Sequence, residues 1–523
     1  MNRVVLYDTT LRDGAQTEGI SLSVSDKLQI TAKLDALGIP YIEGGWPGSN
    51  PKEIEFFRKA KRLKLKNATL TAFGSTRRAS KKPGSDPLIQ GLLSAETRVI
   101  TIFGKSWDLH VKEAIRVTPD ENLRMISDSV AYLKRHGREV MYDAEHFFDG
   151  YRDNPEYAMK TLQAAAEQGA STLILCDTNG GSIPSTIHRV VDEVKSRFNL
   201  PLGIHCHNDT ELAVANSIAA VEAGVVQVQG TINGYGERCG NANLCSVIPV
   251  LQLKMGYGCL PKERLSTLAE VAHYVSEVCN MGTDDHQPFV GPSAFAHKGG
   301  VHINAVIKNP RTYEHIDPAQ VGNQRKLLVS EMGGKTTILA RAKALQLEAE
   351  VSPAKAKKFL RLVQEREAQG YHFEAAEGSF ELLMQRAYKR FKRFFTLSGF
   401  RVVVERTPSG NLTSEATIKL KVDGVTEHTA AEGDGPVHAL DRALRKALQK
   451  FYPAVSQMHL VDFKVRVLES KAGTAAKVRV LIESQDTQDS WWTMGVSENI
   501  IEASWQALVD SVEYKLLKDR AHK

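Results

Sequence analysis

Eight short apolar runs alternate with amphipathic segments over the first 255 or so residues, and this alternation limits the fold more than any other feature. The runs fall at 4–7, 41–43, 69–73, 99–103, 139–143, 172–175, 202–204 and 226–229 and read as strands. Helical patterns lie between them, at 25–37, 119–135, 155–168, 184–198 and 212–223. Several carry a start signal: Pro51 and Pro155 follow Asn, and Pro119 follows Thr. Several stop at a glycine, Gly38, Gly137, Gly169 or Gly224, the residue that closes a helix in the left-handed conformation. Eight strands in strict alternation with helices predict an α/β chain whose residues 1–285 form a (β/α)8 TIM barrel.

In such a barrel, chemistry collects where the strands end. Arg12 and Asp13 follow the first strand, and Glu43 closes the second. Asp143 and Glu145 close the fifth, Asp177 and Thr178 the sixth, and His205 and His207 the seventh; Asn233 to Asn241 follow the eighth. Each alone reads equally well as a helix cap, a surface acid or a turn residue. Their convergence on one rim is harder to attribute to packing. In Gly203-Ile-His-Cys-His-Asn-Asp209 the two histidines stand two residues apart. In a strand that spacing projects both imidazoles from one face, which suits two nitrogens on one ion.

Asp13 adds an oxygen and Asn241 an amide oxygen, with positions left open for water or substrate. This mixed set suits Zn2+, Mn2+ or Mg2+ and does not choose among them. Such an ion can chelate a 2-oxo acid and polarise its ketone. Arg12 can stabilise the alkoxide that forms, and Thr178 can hold the carboxylate. A polarised ketone needs a carbon nucleophile, hence a base to remove a proton next to a carbonyl. Glu145, His302 and His297 are the candidates.

Residues 286–394 are helical and less regular, and read as linker subdomains. They include the glycine-rich loop Gly291-Pro-Ser-Ala-Phe-Ala-His-Lys-Gly-Gly-Val-His302, whose histidines also read as structural loop residues. Residues 395–523 change character to α+β. Strand patterns at 400–405 and 414–422 precede a helix at 436–451. Strands at 462–468, 475–482 and 491–496 precede a helix at about 499–517. This is a tandem βββα repeat. The aromatic and basic run 388–395 before it reads as a buried linker or an interface.

At 523 residues the chain needs two or three domains. Its net charge of +6 is dispersed, and clusters at 59–62 and 389–393 read as solvated faces, so no nucleic-acid partner is expected. No apolar run approaches the ~20 residues of a membrane helix, and the N-terminus enters its first strand without a signal-peptide core. Six cysteines without a Cys-x-x-Cys spacing suit a reduced, cytoplasmic protein.

Three ordered motifs, Asp8-Thr-Thr-Leu-Arg-Asp-Gly-Ala-Gln16, His205-Cys-His-Asn-Asp209 and Asn233-Gly-Tyr-Gly-Glu-Arg-Cys-Gly-Asn241, resemble the isopropylmalate synthase and homocitrate synthase superfamily of metal-dependent barrels. Glu43-Gly-Gly-Trp-Pro-Gly-Ser-Asn-Pro51, Phe73-Gly-Ser-Thr-Arg77 and Tyr142-Asp-Ala-Glu-His-Phe-Phe-Asp-Gly150 look like its citramalate synthase branch. Isopropylmalate synthases usually carry Phe-Pro after the second strand and Glu-Asp after the fifth; this chain has Trp46-Pro47 and Glu145-His146. The resemblance implies a Claisen-type condensation of acetyl-CoA with pyruvate to (R)-citramalate and CoA, on the route to isoleucine. It implies Asp13, His205, His207 and Asn241 as metal ligands, Arg12, Gln16 and Thr178 as ketoacid contacts, and Glu145 with His302 as the acid/base pair. His302 is favoured over His297 by its Gly300-Val-His302 context. In relatives this loop reaches the neighbouring subunit's barrel, with Tyr313 contributing, so a homodimer is implied. The repeat resembles a regulatory domain, with isoleucine as the implied effector. The rival readings are a 2-isopropylmalate synthase using 2-oxoisovalerate, a hydroxyacyl-CoA lyase of the same barrel, and a non-catalytic amino-acid sensor.

Overall fold

The computed structural model describes residues 3–328, 335–345, 347, 351–388, 391–406, 408, 410–468 and 476–521. Two residues of the aromatic and basic run, Lys389 and Arg390, lie outside the described residues, as does Ala475, the first residue expected in its strand.

Eight parallel strands close into a barrel in chain order: β1 (Val5–Asp8), β2 (Tyr41–Gly45), β3 (Thr69–Ser75), β4 (Val99–Lys105), β5 (Glu139–Glu145), β6 (Thr172–Asp177), β7 (Leu202–Cys206) and β8 (Gln227–Gly230). The ring closes where β1 pairs with β8, Val5 opposite Gln227. All eight expected strands are present. β2 to β7 each run two residues further than their apolar runs, to Gly45, Ser75, Lys105, Glu145, Asp177 and Cys206. The polar ends were outside the hydrophobic pattern, yet pairing with neighbouring strands carries the ladder into them. Strands such as β6 are buried along their whole length, as a sheet covered on both faces requires.

The helices obey the expected end signals. Thr118 caps the helix Pro119–Arg135, and Asn154 caps Pro155–Ala166, each accepting from a backbone N–H with proline at the first turn. Ser23 and Asp26 form a reciprocal capping box on Val24–Leu37. Gly38, Gly137, Gly169 and Gly224 all take positive φ, at 99°, 73°, 87° and 107°. The aliphatic faces of these helices pack on the barrel, and each fully buried Leu, Ile or Phe contributes about 1.5–3 kcal/mol.

The chain separates into two compact units. One contains Met1–Phe295 and His315–Arg325, the other Ala296–Glu314 and Lys326–Lys523. The second unit holds two antiparallel three-stranded sheets, each followed by a helix. The first sheet is Thr396–Arg406, Leu412–Val422 and Val425–Gly433, with the helix Pro436–Leu448. The second is His459–Val467, Val478–Gln485 and Ser490–Ser497, with the helix Ile500–Ala521. The strand Val425–Gly433 had no apolar run to announce it. Its signal was Asp423-Gly424, both at positive φ, the two-residue turn that joins hairpin strands.

Candidate active site

The turn after β1 brings Asp13 over the C-terminal mouth of the barrel. Its Oδ2 stands 3.5 Å from His205 Nε2 and 3.8 Å from His207 Nε2. The two imidazoles are side by side as their spacing predicts, with ring centroids 5.2 Å apart. His205 ends in the ladder of β7; His207 lies just beyond it and bridges to Asn241. Asn208 N donates to Gly240 O at 2.9 Å, and Ala242 N donates to Cys206 O at 2.9 Å, so the loop after β8 is stitched along β7. Gly240 has φ +90°, and a Cβ there would come 2.0 Å from the carbonyl oxygen of Gly234, so only glycine permits this close path. Thr17 Oγ1 accepts from Gly236 N at 2.7 Å and pins the same loop to the turn after β1.

One ligand atom from each of Asp13, His205 and His207 lies within 4.8 Å of the others. All three residues and Asn241 are buried. Asp13 Oδ1 and Asn241 Oδ1 have no hydrogen-bond partner among the described residues. Two orphaned buried acceptors beside two imidazoles fit a divalent cation, because acceptors stranded in a dry site are costly unless a positive group meets them. Burial opposes ionisation of Asp13, yet the adjacent Arg12 guanidinium and the two imidazoles hold its carboxyl at about 2. Burial drives His205 down to about 3 and lowers His207. The donors are therefore an ionised carboxylate and neutral imidazoles, the forms that ligate.

Arg12 ties this cluster to the barrel interior. Its Nη1 donates to Asp13 Oδ2 at 3.1 Å and its Nε to Glu43 Oε1, while its Cζ lies 3.8 Å from the centroid of the Phe73 ring. Below, Glu43 Oε2 accepts from the Tyr7 hydroxyl at 2.8 Å, and that hydroxyl also meets Thr71 and Thr101. Burial raises Glu43, and burial with the neighbouring Glu43 raises Asp143 well above the usual carboxylate range.

These groups border a cavity of about 200 Å³. Arg12, Asp13, Gln16, Asp143, Glu145, Thr178, His205 and His207 all contribute to its wall. The apolar part is Trp46, Phe73, Phe103 and Cys176. Phe73 and Phe103 stack at 5.4 Å, and Trp46 meets each edge-on at 6.2 and 5.7 Å. Glu145 stands in register with Lys105 on β4 and forms an ion pair with it. Thr178 Oγ1 accepts from His146 N at 2.9 Å, and Thr178 O accepts from Arg238 Nη2 at 2.7 Å. Arg238 also grips Asp209 through Nε at 2.7 Å.

His302 and Tyr313 belong to the other compact unit, where their rings stack at 4.1 Å. His297 is in that unit too, buried, its Nε2 3.1 Å from Glu314 Oε1, which gives it a hydrogen-bonded structural role. The sequence reading missed Trp46, Phe73, Phe103, Lys105 and Gln229. Their signal was weak: aromatic or polar residues at the C-terminal positions of strands or, for Trp46, just beyond one. Assigning them required knowing which strand end faces which.

Residues 3–275 match the HMGL-like family, residues 289–369 the homocitrate synthase post-HMGL domain-like family, and residues 374–516 the LeuA allosteric (dimerisation) domain. An (R)-citramalate synthase of Aquifex aeolicus (strain VF5) is 56% identical over 519 residues, covering 99% of this chain and 98% of that protein. A 2-isopropylmalate synthase of Methanocaldococcus jannaschii is 32% identical, covering 99% of this chain and 95% of its own. The crystal structure of an HMG-CoA lyase of Bacillus subtilis overlays with a TM-score of 0.47 at 20% identity, covering 54% of this chain and 95% of the lyase.

Proposed function

The chain belongs to the HMGL-like family of barrel enzymes and, within it, to the citramalate synthases, and from that premise we propose which residues carry its reaction. It is a condensing acyltransferase. Acetyl-CoA loses a methyl proton, the carbon attacks the ketone of pyruvate, and water cleaves the thioester, giving (R)-citramalate and CoA. One observation carries the assignment of residues: Asp13, His205 and His207 converge within 4.8 Å at a cavity that Arg12, Thr178 and Glu145 also border.

We assign Asp13, His205, His207 and Asn241 to a divalent cation, Mn2+, Zn2+ or Mg2+. When bound, it supplies Lewis-acid polarisation of the ketone. Arg12 has Nε and one Nη1 proton committed to Glu43 and Asp13, and its remaining protons serve the ketone oxygen as negative charge develops there. Thr178 donates its hydroxyl proton to the ketoacid carboxylate, with Gln16 beside it. Glu145 takes the methyl proton of acetyl-CoA. His302, with Tyr313 stacked on it, is its acid/base partner, and a second copy of the chain in a homodimer delivers it. The Trp46, Phe73 and Phe103 wall surrounds the methyl group of pyruvate.

The relatedness to a 2-isopropylmalate synthase favours a second reading, with 2-oxoisovalerate as substrate. Three aromatic rings around a cavity of about 200 Å³ favour the smaller ketoacid. Release of free thiol from acetyl-CoA, followed with pyruvate and with 2-oxoisovalerate, decides between them. Preference for 2-oxoisovalerate would overturn the pyruvate assignment.

The tandem repeat at 395–523 supports a regulatory role, with isoleucine as effector of a step toward its own synthesis. No described helix is long and apolar enough to cross a membrane, and five of the six free cysteines are buried. The free cysteines support a reduced setting.

A further inference from the structure

Gln229 stands beside His205 in the parallel register of β7 and β8 and is wholly buried. Its Oε1 lies 3.1 Å from His205 Nδ1. Its Nε2 donates to Asp143 Oδ1 at 3.2 Å, across the barrel interior from β5.

The two contacts are not independent. A carboxyl oxygen accepts whether the acid is ionised or carries its proton on the other oxygen. In the structure the Gln229 amide stands with Nε2 donating to Asp143 Oδ1, and this turns Oε1 toward His205. An amide oxygen only accepts, so His205 Nδ1 must hold the ring proton. His205 Nε2 is then left with a free lone pair, and this is the atom 3.5 Å from Asp13 Oδ2. With the amide reversed, its NH2 would face Nδ1 and force the proton onto Nε2, closing the ligand face. His207 has no such control: its Nδ1 has no hydrogen-bond partner among the described residues.

We propose that Gln229 is a positioning residue that fixes His205 in the Nδ1–H tautomer required for cation binding, with Asp143 fixing Gln229 in turn. Outer partners of metal-bound histidines typically set both ring orientation and tautomer. This inference rests on the assignment of His205 to the ion. It also means that a residue of the ketoacid cavity and a ligand of the cation share one hydrogen-bonded chain.

The test uses the full-length protein. In 15N-histidine-labelled apoprotein, with His205 identified by its loss in His205→Ala, the expected signal is a protonated Nδ1; a protonated Nε2 overturns the proposal. Mn2+ binding is then measured from the electron-paramagnetic signal of free Mn2+, without turnover. Gln229→Met, close in shape, is expected to weaken Mn2+ binding about 10–100-fold. An unchanged Kd overturns the proposal, and should this variant fail to fold, the tautomer measurement decides alone. His205→Ala separates the premise from the inference. Wild-type Mn2+ affinity in His205→Ala defeats the ligand assignment itself, whereas lost affinity there with an unchanged Gln229→Met defeats the tautomer role only.

Discussion

The backbone N–H of His146 donates to the hydroxyl oxygen of Thr178 at 2.9 Å, joining the ends of two neighbouring barrel strands. His146 reaches this position in the left-handed conformation, at φ 55°, which turns its N–H toward Thr178. With its oxygen held as an acceptor, Thr178 has its own proton free to donate. Replacing Thr178 with Val should raise KM for pyruvate roughly 10- to 100-fold, the equivalent of ~1.5–3 kcal/mol for a hydrogen bond to a charged group. Thr178→Ser should stay near wild type. Steady-state kinetics on both variants check this, and an unchanged KM in Thr178→Val removes Thr178 from the ketoacid site.

His207→Ala should abolish cation-dependent turnover and leave the barrel folded, because its ring serves the site at the rim and not the core. Circular dichroism and thiol release report the two halves of that expectation. Chelation of the wild-type enzyme should silence it in the same way, with recovery on adding Mn2+. Full activity in His207→Ala would refute the assignment.

Enlarging the apolar wall should change the ketoacid preference. Phe103→Ala should move the ratio of kcat/KM for 2-oxoisovalerate over pyruvate upward about tenfold or more, since each methylene accommodated is worth ~1–3 kcal/mol. Competition between the two ketoacids measures this directly. A ratio that stays constant means the side chain of the ketoacid lies elsewhere.

Lys27 is buried on the helix Val24–Leu37, and its Nζ meets both oxygens of Glu53 at 2.7 Å and the carbonyl oxygen of Gly44, in β2, at 3.0 Å. Lys27→Met should cost about 3–5 kcal/mol, because it leaves the Glu53 carboxylate buried and unpaired. The double variant Lys27→Met with Glu53→Leu should regain much of the loss. Urea unfolding of the three proteins tests it; equal stability in the single and double variants counts against the pairing argument.

Removing residues from about 400 onward should relieve isoleucine inhibition in whatever activity remains, since the repeat matches an allosteric domain. Inhibition that persists in an active truncated enzyme overturns the assignment of the effector to this region.

The sequence by itself determined the periodic part of the protein. Helix ends at Gly38 or Pro155 and the same-face pairing of His205 with His207 follow from backbone geometry within a few residues, so they survive without knowledge of distant contacts. Asp13 was legible as a polar residue in the turn that follows the first apolar strand. Only the tertiary structure decided what lies across the barrel. Gln229 and Asp143 are 86 residues apart in sequence and 3.2 Å apart in space. Phe73 and Phe103 become one wall only when β3 and β4 align in register. Lys105 meets Glu145 for the same reason. Barrel closure sets which strand ends face one another, and that closure is a collective outcome of packing eight strands and their helices that no single segment encodes.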